Sequence, residues 1–466
     1  ASNYLDTAGF THLEFWINGG PTNNQNVYLG VRLGEVGWPP GVMVSAYTNI
    51  ASNAWRQVRI PLADLGAQDV TNLSWVFFKN TSSTSVPLFW VDNMKLVKPW
   101  PPSAPLIRVN ATNALTSPLP RRLPGMNVAA WDALLTNAAT LARLQEGGFR
   151  MLRYPGGSLA DYYDWQNNRN KTNVSEVYSV NTSNFLAVAD AAGAEKNITV
   201  NYGRGSAAEA SNWVRHVFGT LNRTVEWWCV GNECFAEWEH DTNTPAHNAV
   251  TYVSRWCQYR TAMTNARPGI KVGVVGTYDE NDFTNIYSAV TNPVDGTVHR
   301  GWSAVMLTHL ARSNQVPDFY ELHYYGYSEG SSLLTPPDRA SDYHLLRSAG
   351  YERRAVEHCR RMLCDYLGAA SGSNVAIHVT ENNCASYDPG KQFVSLVNGL
   401  LVPELFNESA LAGADAFLWW DLHNSPQASY NNSSTPYGGR NYSDSGVLAV
   451  GDAVPLGDAI NAPSPP

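Results

Sequence analysis

Glu233 and Glu381 each close a short apolar run. The runs are Trp227-Trp228-Cys229-Val230-Gly231-Asn232-Glu233 and Ala376-Ile377-His378-Val379-Thr380-Glu381-Asn382-Asn383. Both are strand-like in composition and stop at a glutamate flanked by asparagine. A carboxylate at the C-terminal end of a buried parallel strand is where a (β/α)8 barrel keeps its reacting groups. Two of them suit displacement at a glycosidic carbon: one protonates the leaving oxygen, the other supplies electrons to the carbon. One must then stay protonated near neutral pH while its partner stays ionised. Like-charge repulsion and partial burial are expected to part their pKa values in that direction. Asn232 can donate its amide to a sugar hydroxyl, a bond that strengthens as charge develops.

The elements that would hold these groups follow from the pattern of the chain. Residues 1–98 read as all-β: apolar or alternating runs such as His12–Trp16, Val27–Val31, Trp55–Ile60, Ser74–Phe78 and Leu88–Val91 are separated by Gly, Asn and Pro clusters. Strands at this spacing imply a sandwich or jelly roll. Residues 99–105 form a proline-rich linker, stiff by composition. Beyond it strands and helices alternate. A helix is expected over Trp131–Gly148, with Leu134, Leu135, Ala138, Leu141 and Leu144 on one face and Gly147-Gly148 ending it. Strands are expected at Gly125–Val128, Phe149–Tyr154, Ile198–Tyr202, the Glu233 run, Ile270–Val275, Phe319–Tyr325, the Glu381 run and Ala416–Trp420. Eight such units predict a (β/α)8 barrel over 106–424. No Gly-rich phosphate loop follows any strand, which argues against a doubly wound sheet. Residues 425–466 are rich in Asn, Ser, Gly and Pro, with a short strand expected at Gly446–Val450.

Composition narrows the ligand. The net charge is −8 with no basic tract, so neither nucleic acid nor an anionic membrane is the expected partner. Sixteen Trp and 23 Tyr offer flat apolar faces for sugar rings, although core packing accounts for most aromatics. The six cysteines contain no CxxC pair, so zinc is not expected. One or two disulfides are open, and Cys234 and Cys384 could approach each other if both strands end at one barrel mouth. No stretch reaches the length of a membrane helix. The chain starts at Ala1 without a signal peptide, which is compatible with a processed exported protein or with a trimmed chain.

Several motifs carry a resemblance. Arg153-Tyr154-Pro155-Gly156-Gly157-Ser158-Leu159-Ala160-Asp161-Tyr162-Tyr163-Asp164-Trp165 resembles the second-strand motif of glycoside hydrolase family 51 and related clan A barrels. Gly231-Asn232-Glu233 with Trp238-Glu239 is similar to the fourth-strand acid/base motif. His323-Tyr324-Tyr325 resembles the sixth-strand motif, Thr380-Glu381-Asn382 the seventh-strand nucleophile motif, and Trp419-Trp420-Asp421-Leu422-His423-Asn424 the eighth. The resemblance covers roughly residues 120–450 in order. Leu13–Gly20 and Phe89–Met94 resemble strands of carbohydrate-binding jelly-roll modules, with further strands expected before the N-terminus.

The resemblance implies Glu233 as general acid/base and Glu381 as nucleophile of a retaining, double-displacement hydrolase. Arg153 would sit near Glu381 and keep it ionised. His323 and Tyr325 would orient the carboxylates or the sugar, and Trp419 or Trp420 would form a stacking wall. Asn232, Tyr202 and Asp161 complete the substrate-binding set. A structural ion pair for Arg153 and a satisfied core histidine for His323 are the plainer alternatives. The family usually adds a C-terminal β-sandwich, which the residues after Trp420 are too few to complete. The chain would then be cut there, or a partner fragment would supply the rest.

The implied substrate is plant cell-wall polysaccharide or its oligosaccharides. Endo-β-1,4-glucanase action comes first, α-L-arabinofuranosidase or xylan-active hydrolysis second, and a non-catalytic carbohydrate-binding protein last. The chemistry requires no cofactor and no catalytic metal. Resemblance to binding modules brings a structural calcium in the N-terminal module into view. Location is expected to be secreted, extracellular or periplasmic, in a bacterium. Oligomeric state is open.

Overall fold

The computed structural model describes residues 4–23, 25–81, 88–98, 122–284, 288–327, 339–386, 393, 395–424 and 445–450. The chain divides into two compact units, Ala1–Thr116 and Ser117–Pro466. The linker at 99–105 and most of 425–466 lie outside the described residues.

In the first unit six strands form two antiparallel sheets. They are β1 (His12–Asn18), β2 (Val27–Leu33), β3 (Val42–Met43), β4 (Trp55–Pro61), β5 (Leu73–Asn80) and β6 (Trp90–Val97). One sheet has the order β4-β1-β6, the other β3-β2-β5. Leu13, Phe15, Ile17, Val58 and Ile60 from the first meet Val27, Leu29, Val31 and Leu73 from the second in one buried cluster. The alternation seen in sequence therefore builds a sandwich. The eight strands of a jelly roll are not seen among the described residues.

The second unit is a closed barrel of eight parallel strands. In chain order they are Arg122–Asn127, Met151–Tyr154, Glu195–Val200, Trp227–Val230, Lys271–Val275, Phe319–Tyr327, Ala376–Ala385 and Ala416–Trp419, referred to as barrel strands one to eight. All eight expected strands are present, with boundaries moved by a few residues. Strand eight pairs with strand one through Leu418 and Gly125, which closes the cylinder.

The first helix is shorter than its sequence pattern, running Ala138–Gly147. Asn137 caps it, accepting the Ala139 N–H, and Gly148 ends it at φ 65°. The preceding residues are turns: Asp132 accepts the Leu134 N–H and pairs with His423 at 2.7 Å, a buried tie to the end of strand eight. In the tail, Leu448 makes an isolated bridge to His423 instead of starting a strand. No disulfide forms among the six cysteines, so the Cys234–Cys384 approach is not realised. No described helix is long and apolar enough to cross a membrane.

Candidate active site

Barrel strands two, four, six and seven bring the charged residues together inside the C-terminal mouth. Arg153, on strand two, is fully enclosed and donates in four directions. Its Nη1 reaches Glu381 Oε1 at 2.8 Å and Asn127 Oδ1 at 3.1 Å. Its Nη2 reaches Glu321 Oε1 at 2.8 Å and Asn232 Oδ1 at 2.7 Å. Burial alone would lower the guanidinium pKa, but the charges of Glu321 and Glu381 more than reverse that. The ion-pair alternative and the functional one thus coincide: Arg153 ties strands one, four, six and seven to the Glu381 carboxylate.

Glu381 reaches this position through an irregularity in register. Strand six pairs Leu322 with Val379 but His323 with Glu381, so Thr380 is an extra residue on strand seven. Such a bulge shifts the inward-facing parity by one residue. Glu381 consequently faces Arg153, and Tyr325 donates its hydroxyl to Glu381 Oε2 at 2.6 Å. Burial and the nearby Glu381 and Glu233 charges push the Tyr325 phenol well above its ordinary pKa, so it remains a donor.

Glu233 follows strand four with φ 39°, a left-handed conformation that costs a non-glycine residue about 1–3 kcal/mol. Its Oε1 meets His323 Nδ1 at 2.8 Å and its Oε2 accepts from the Trp238 indole at 2.8 Å. His323 Nδ1 is also 3.5 Å from Glu381 Oε2, and its Nε2 is 3.5 Å from Glu321 Oε1. Burial would push this imidazole down, yet the charges and hydrogen bonds of Glu381, Glu233 and Glu321 hold it at about 10. These charges favour the imidazolium at neutral pH, whose Nδ1 donates to Glu233.

This changes the expected proton distribution. Burial pushes the Glu233 carboxyl up, but the hydrogen bond and charge of His323, the Trp238 indole and Arg153 outweigh it. Glu233 is held below the usual carboxylate value, not above it. In the ligand-free site the proton sits on His323, next to Glu233. Repulsion from Glu381 does not set the Glu233 carboxyl, because the His323 imidazolium lies against it and Glu321 joins the cluster as a third buried carboxylate.

One carboxylate oxygen each from Glu233 and Glu381 and one ring nitrogen of His323 all lie within 4.8 Å of one another. Among the described residues this is the only trio with metal-ligating spacing, and none lies in the N-terminal unit, where calcium was considered. Within this trio Glu381 is already paired with Arg153 at 2.8 Å.

The trio opens into a cavity of about 620 Å³. Its described lining includes Ser158, Asn232, Trp238, Tyr278, Phe283 and Trp420 as well as the trio and Tyr325. Trp420 stands on Gly157, where a Cβ would lie 2.7 Å from the indole and where φ is 45°. Trp420 is thus the wall residue of the pair. Trp419 points the other way and is 5% exposed, buried in the barrel, with its carbonyl accepting from Asn127 at 3.0 Å.

Two expected binding residues are not in the cavity. Asp161 is buried beneath it, accepting the backbone N–H groups of Tyr202, Gly203 and Asn232. Burial pushes its carboxyl up to about 7 against the pull of those donors. It ties the loops after strands three and four together. Tyr202 packs against Tyr252 and Tyr259, with the Arg255 guanidinium 5.6 Å from its ring, and does not line the cavity.

Several residues were not singled out from sequence. Glu321 is completely buried and held at about 2: burial opposes ionisation, but Arg153 and His323 prevail. Its signal was present, since positions 321, 323 and 325 alternate to one side of a strand. Asn127 bridges strands one, seven and eight through the Thr380 and Trp419 carbonyls. Glu239 accepts from Ser158 Oγ and Asn232 Nδ2 behind the cavity, and burial pushes it up to about 9. Trp238 and Glu239 follow the Gly231-Asn232-Glu233 motif, but loop residues offer no periodicity to say which way they face.

No family model and no curated protein sequence matches this chain. Solved structures do. A thermostable family 51 α-L-arabinofuranosidase from Thermotoga petrophila is 18% identical with a TM-score of 0.51, over 66% of this chain and 66% of that one. A family 51 α-L-arabinofuranosidase from Bifidobacterium longum is 18% identical with a TM-score of 0.51, over 67% of this chain and 70% of that one. The match to the Thermotoga enzyme spans just under two thirds of its length. These likenesses establish the (β/α)8 fold.

Proposed function

We propose that the chain is a retaining glycoside hydrolase acting on plant cell-wall polysaccharide, with endo-β-1,4-glucan cleavage as the first reading. The observation that carries it is the approach of Glu233 and Glu381: a carboxylate oxygen of each lies within 4.8 Å of the other. Retaining enzymes set their two carboxyls ~5–5.5 Å apart, whereas inverting enzymes leave ~6.5–9.5 Å for a water between them.

In the first step an oxygen of Glu381 bonds to the anomeric carbon as the bond from that carbon to the leaving oxygen breaks. Glu233 delivers a proton to the leaving oxygen. That proton is available from His323 along the 2.8 Å contact to Glu233 Oε1. As Glu381 gives up its negative charge to the new ester bond, the leading influence that raises the His323 pKa disappears. The proton therefore moves toward Glu233 as the reaction consumes it. In the second step Glu233 takes a proton from water, the water oxygen bonds to the anomeric carbon, and Glu381 leaves as carboxylate. Arg153 and Tyr325 hold one Glu381 oxygen each through both steps.

An open, aromatic rim favours a polysaccharide chain over a terminal sugar. Trp238 is 58% exposed and Trp420 half-buried at the cavity, and about 620 Å³ accommodates more than one sugar ring. The second reading is α-L-arabinofuranosidase or xylan-active hydrolysis; the first of these is the activity named for the two structural neighbours. Product analysis on carboxymethyl cellulose, xyloglucan, xylan and arabinoxylan, with Glu233→Ala as control, separates the two. Glucan oligosaccharides lost in the control support the first; free arabinose alone supports the second. Binding without any product would revert the chain to a carbohydrate-binding protein.

A further inference from the structure

We infer that Asp282 is a specificity-determining residue for the hydrolysis proposed above, on which this inference rests: its carboxylate receives the hydroxyls of a neutral sugar and repels a sugar that carries a carboxylate. Among the described residues three acids line the cavity, Glu233, Glu381 and Asp282. Two of them are satisfied, Glu233 by His323 and Trp238, and Glu381 by Arg153 and Tyr325. Asp282 is half-buried, and its carboxylate has no hydrogen-bond or ion-pair partner among the described residues. It has lost part of its hydration and gained nothing in return. Burial, and then the charge of Asp279, push its pKa up to about 6. The titratable groups that share charge interactions with it are Tyr278 and Asp279 of its own loop, Tyr320 of barrel strand six and Cys359 of the helix Arg339–Leu367. None of them is a cation, and burial holds the two phenols and the thiol in their neutral forms.

The backbone around Asp282 is pinned. It lies in the loop that follows barrel strand five, where its carbonyl accepts the Trp302 N–H at 2.8 Å and the Glu280 carbonyl accepts the Gly301 N–H at 2.9 Å. Both bonds fall at the start of the helix Trp302–Arg312. The Glu280 carboxylate is tied to Asn292 at 3.0 Å, Tyr366 at 3.0 Å and His358 at 3.1 Å. Next to Asp282, Phe283 has φ 54°, a left-handed backbone that is strained for phenylalanine and is of the kind that collects at ligand-binding positions. Its ring packs against Phe235 at 4.3 Å and Trp238 at 5.8 Å. Trp238 is the indole that donates to Glu233, so the Asp282 loop abuts the support of the acid/base. A carboxylate on such a loop holds its place before a ligand arrives, which lowers the entropy cost of binding.

A carboxylate only accepts, and two neighbouring hydroxyls of a sugar ring can each donate to one of its oxygens. Bonds to a charged acceptor are stronger than neutral ones. A metal ion is a poor occupant, because Asp282 belongs to no trio of ligating side chains among the described residues and a hard cation takes several oxygen ligands. A uronic acid or a carboxymethyl group would set a second negative charge beside Asp282, where screening by water is reduced. No cation is left to receive it: Arg153 is engaged by Glu321 and Glu381, and His323 by Glu233.

The test measures kcat/KM of the full chain on two matched pairs, hydroxyethyl against carboxymethyl cellulose and arabinoxylan against glucuronoxylan. The wild type should favour the neutral member of the pair it cleaves. Asp282→Asn should lower kcat/KM on that member roughly ten-fold and raise it on the acidic member, whereas a structural defect lowers both. Asp282→Glu keeps the charge and should keep the preference. Glu146→Gln, which removes an equal charge from an exposed helix position, should leave the ratio unchanged. In the wild type the preference should fall as pH is lowered from about 7 to about 5, through the Asp282 pKa, and in Asp282→Asn it should not. Titration of Glu233 and His323 acts on both substrates and cancels in the ratio. If thermal unfolding shows that Asp282→Asn does not fold, Asp282→Ala decides by the same ratio. An active wild type whose ratio neither substitution changes overturns this inference alone and leaves the hydrolase reading in place. A wild type that cleaves neither pair overturns both. Cleavage of chitosan faster than of the neutral chain, lost in Asp282→Asn, overturns the assignment to a neutral sugar.

Discussion

His323 Nδ1 lies 2.8 Å from Glu233 Oε1, and this contact makes the two residues one proton-holding unit. The imidazole titrates at about 10 and the carboxyl below its usual value. The unit therefore keeps its last proton into alkaline pH. Replacing His323 with Asn leaves Glu233 to hold that proton alone, with burial no longer offset by the imidazolium. The alkaline limb of the kcat/KM profile should move to lower pH, with kcat reduced roughly 10²-fold or more, as for loss of a positioned proton donor. An alkaline limb that stays in place would remove His323 from the proton path.

Glu321 supplies the second negative charge to Arg153. Its folded pKa of about 2 is below the ordinary 4.5, so its contribution to stability is present above 4.5 and is lost as pH falls toward 2. Glu321→Gln should cost about 3–5 kcal/mol at pH 7, the usual cost of breaking a buried pair from one side. The gap between variant and wild type in denaturant unfolding should close as pH drops through that window. A constant gap would mean that shape, and not charge, is what Glu321 provides.

Glu352 shows the opposite sign. It is fully buried, accepting from Asn382 Nδ2 at 2.9 Å and from Ser409 Oγ, and burial pushes it up to about 8. A carboxyl raised in the folded state favours folding fully below 4.5 and loses that advantage as pH rises to 8. Glu352→Gln should leave thermal stability near wild type at pH 4.5 and raise it at pH 8, by roughly 2–4 °C per kcal/mol. Equal shifts at both pH values would contradict this.

Trp420 and Trp419 should separate function from packing. Trp420→Ala should raise KM roughly ten-fold, about 1.4 kcal/mol, with little loss of stability. Trp419→Ala should cost about 3–5 kcal/mol of stability by opening a cavity in the barrel. Gly157→Ala should behave like a mild Trp420 variant, since its new methyl meets the indole. Steady-state kinetics beside thermal unfolding distinguishes these outcomes.

The barrel was legible because buried parallel strands are continuous apolar runs, and each of the eight was visible as one. Glu233 and Glu381 were legible because they end such runs, with Asn232 beside the first, whereas Arg153, His323 and Tyr325 were legible only through the resemblance of their motifs. Parity was not: the extra residue at Thr380 shifts Glu381 inward, and no local pattern announces it. The same uncertainty at the end of strand eight left Trp419 and Trp420 unresolved. Asp161 and Tyr202 sit beside the right motifs but face the packing under the loops, and sequence proximity does not carry direction. The Glu233 pKa was out of reach, since it depends on an imidazole that meets it only in three dimensions.

The most direct test is the anomeric configuration of the first-formed product, followed by proton NMR during hydrolysis of whichever polysaccharide the chain cleaves. The Glu233–Glu381 approach predicts retention, with the starting anomer appearing first and mutarotating later. Initial release of the opposite anomer would contradict a double displacement through Glu381.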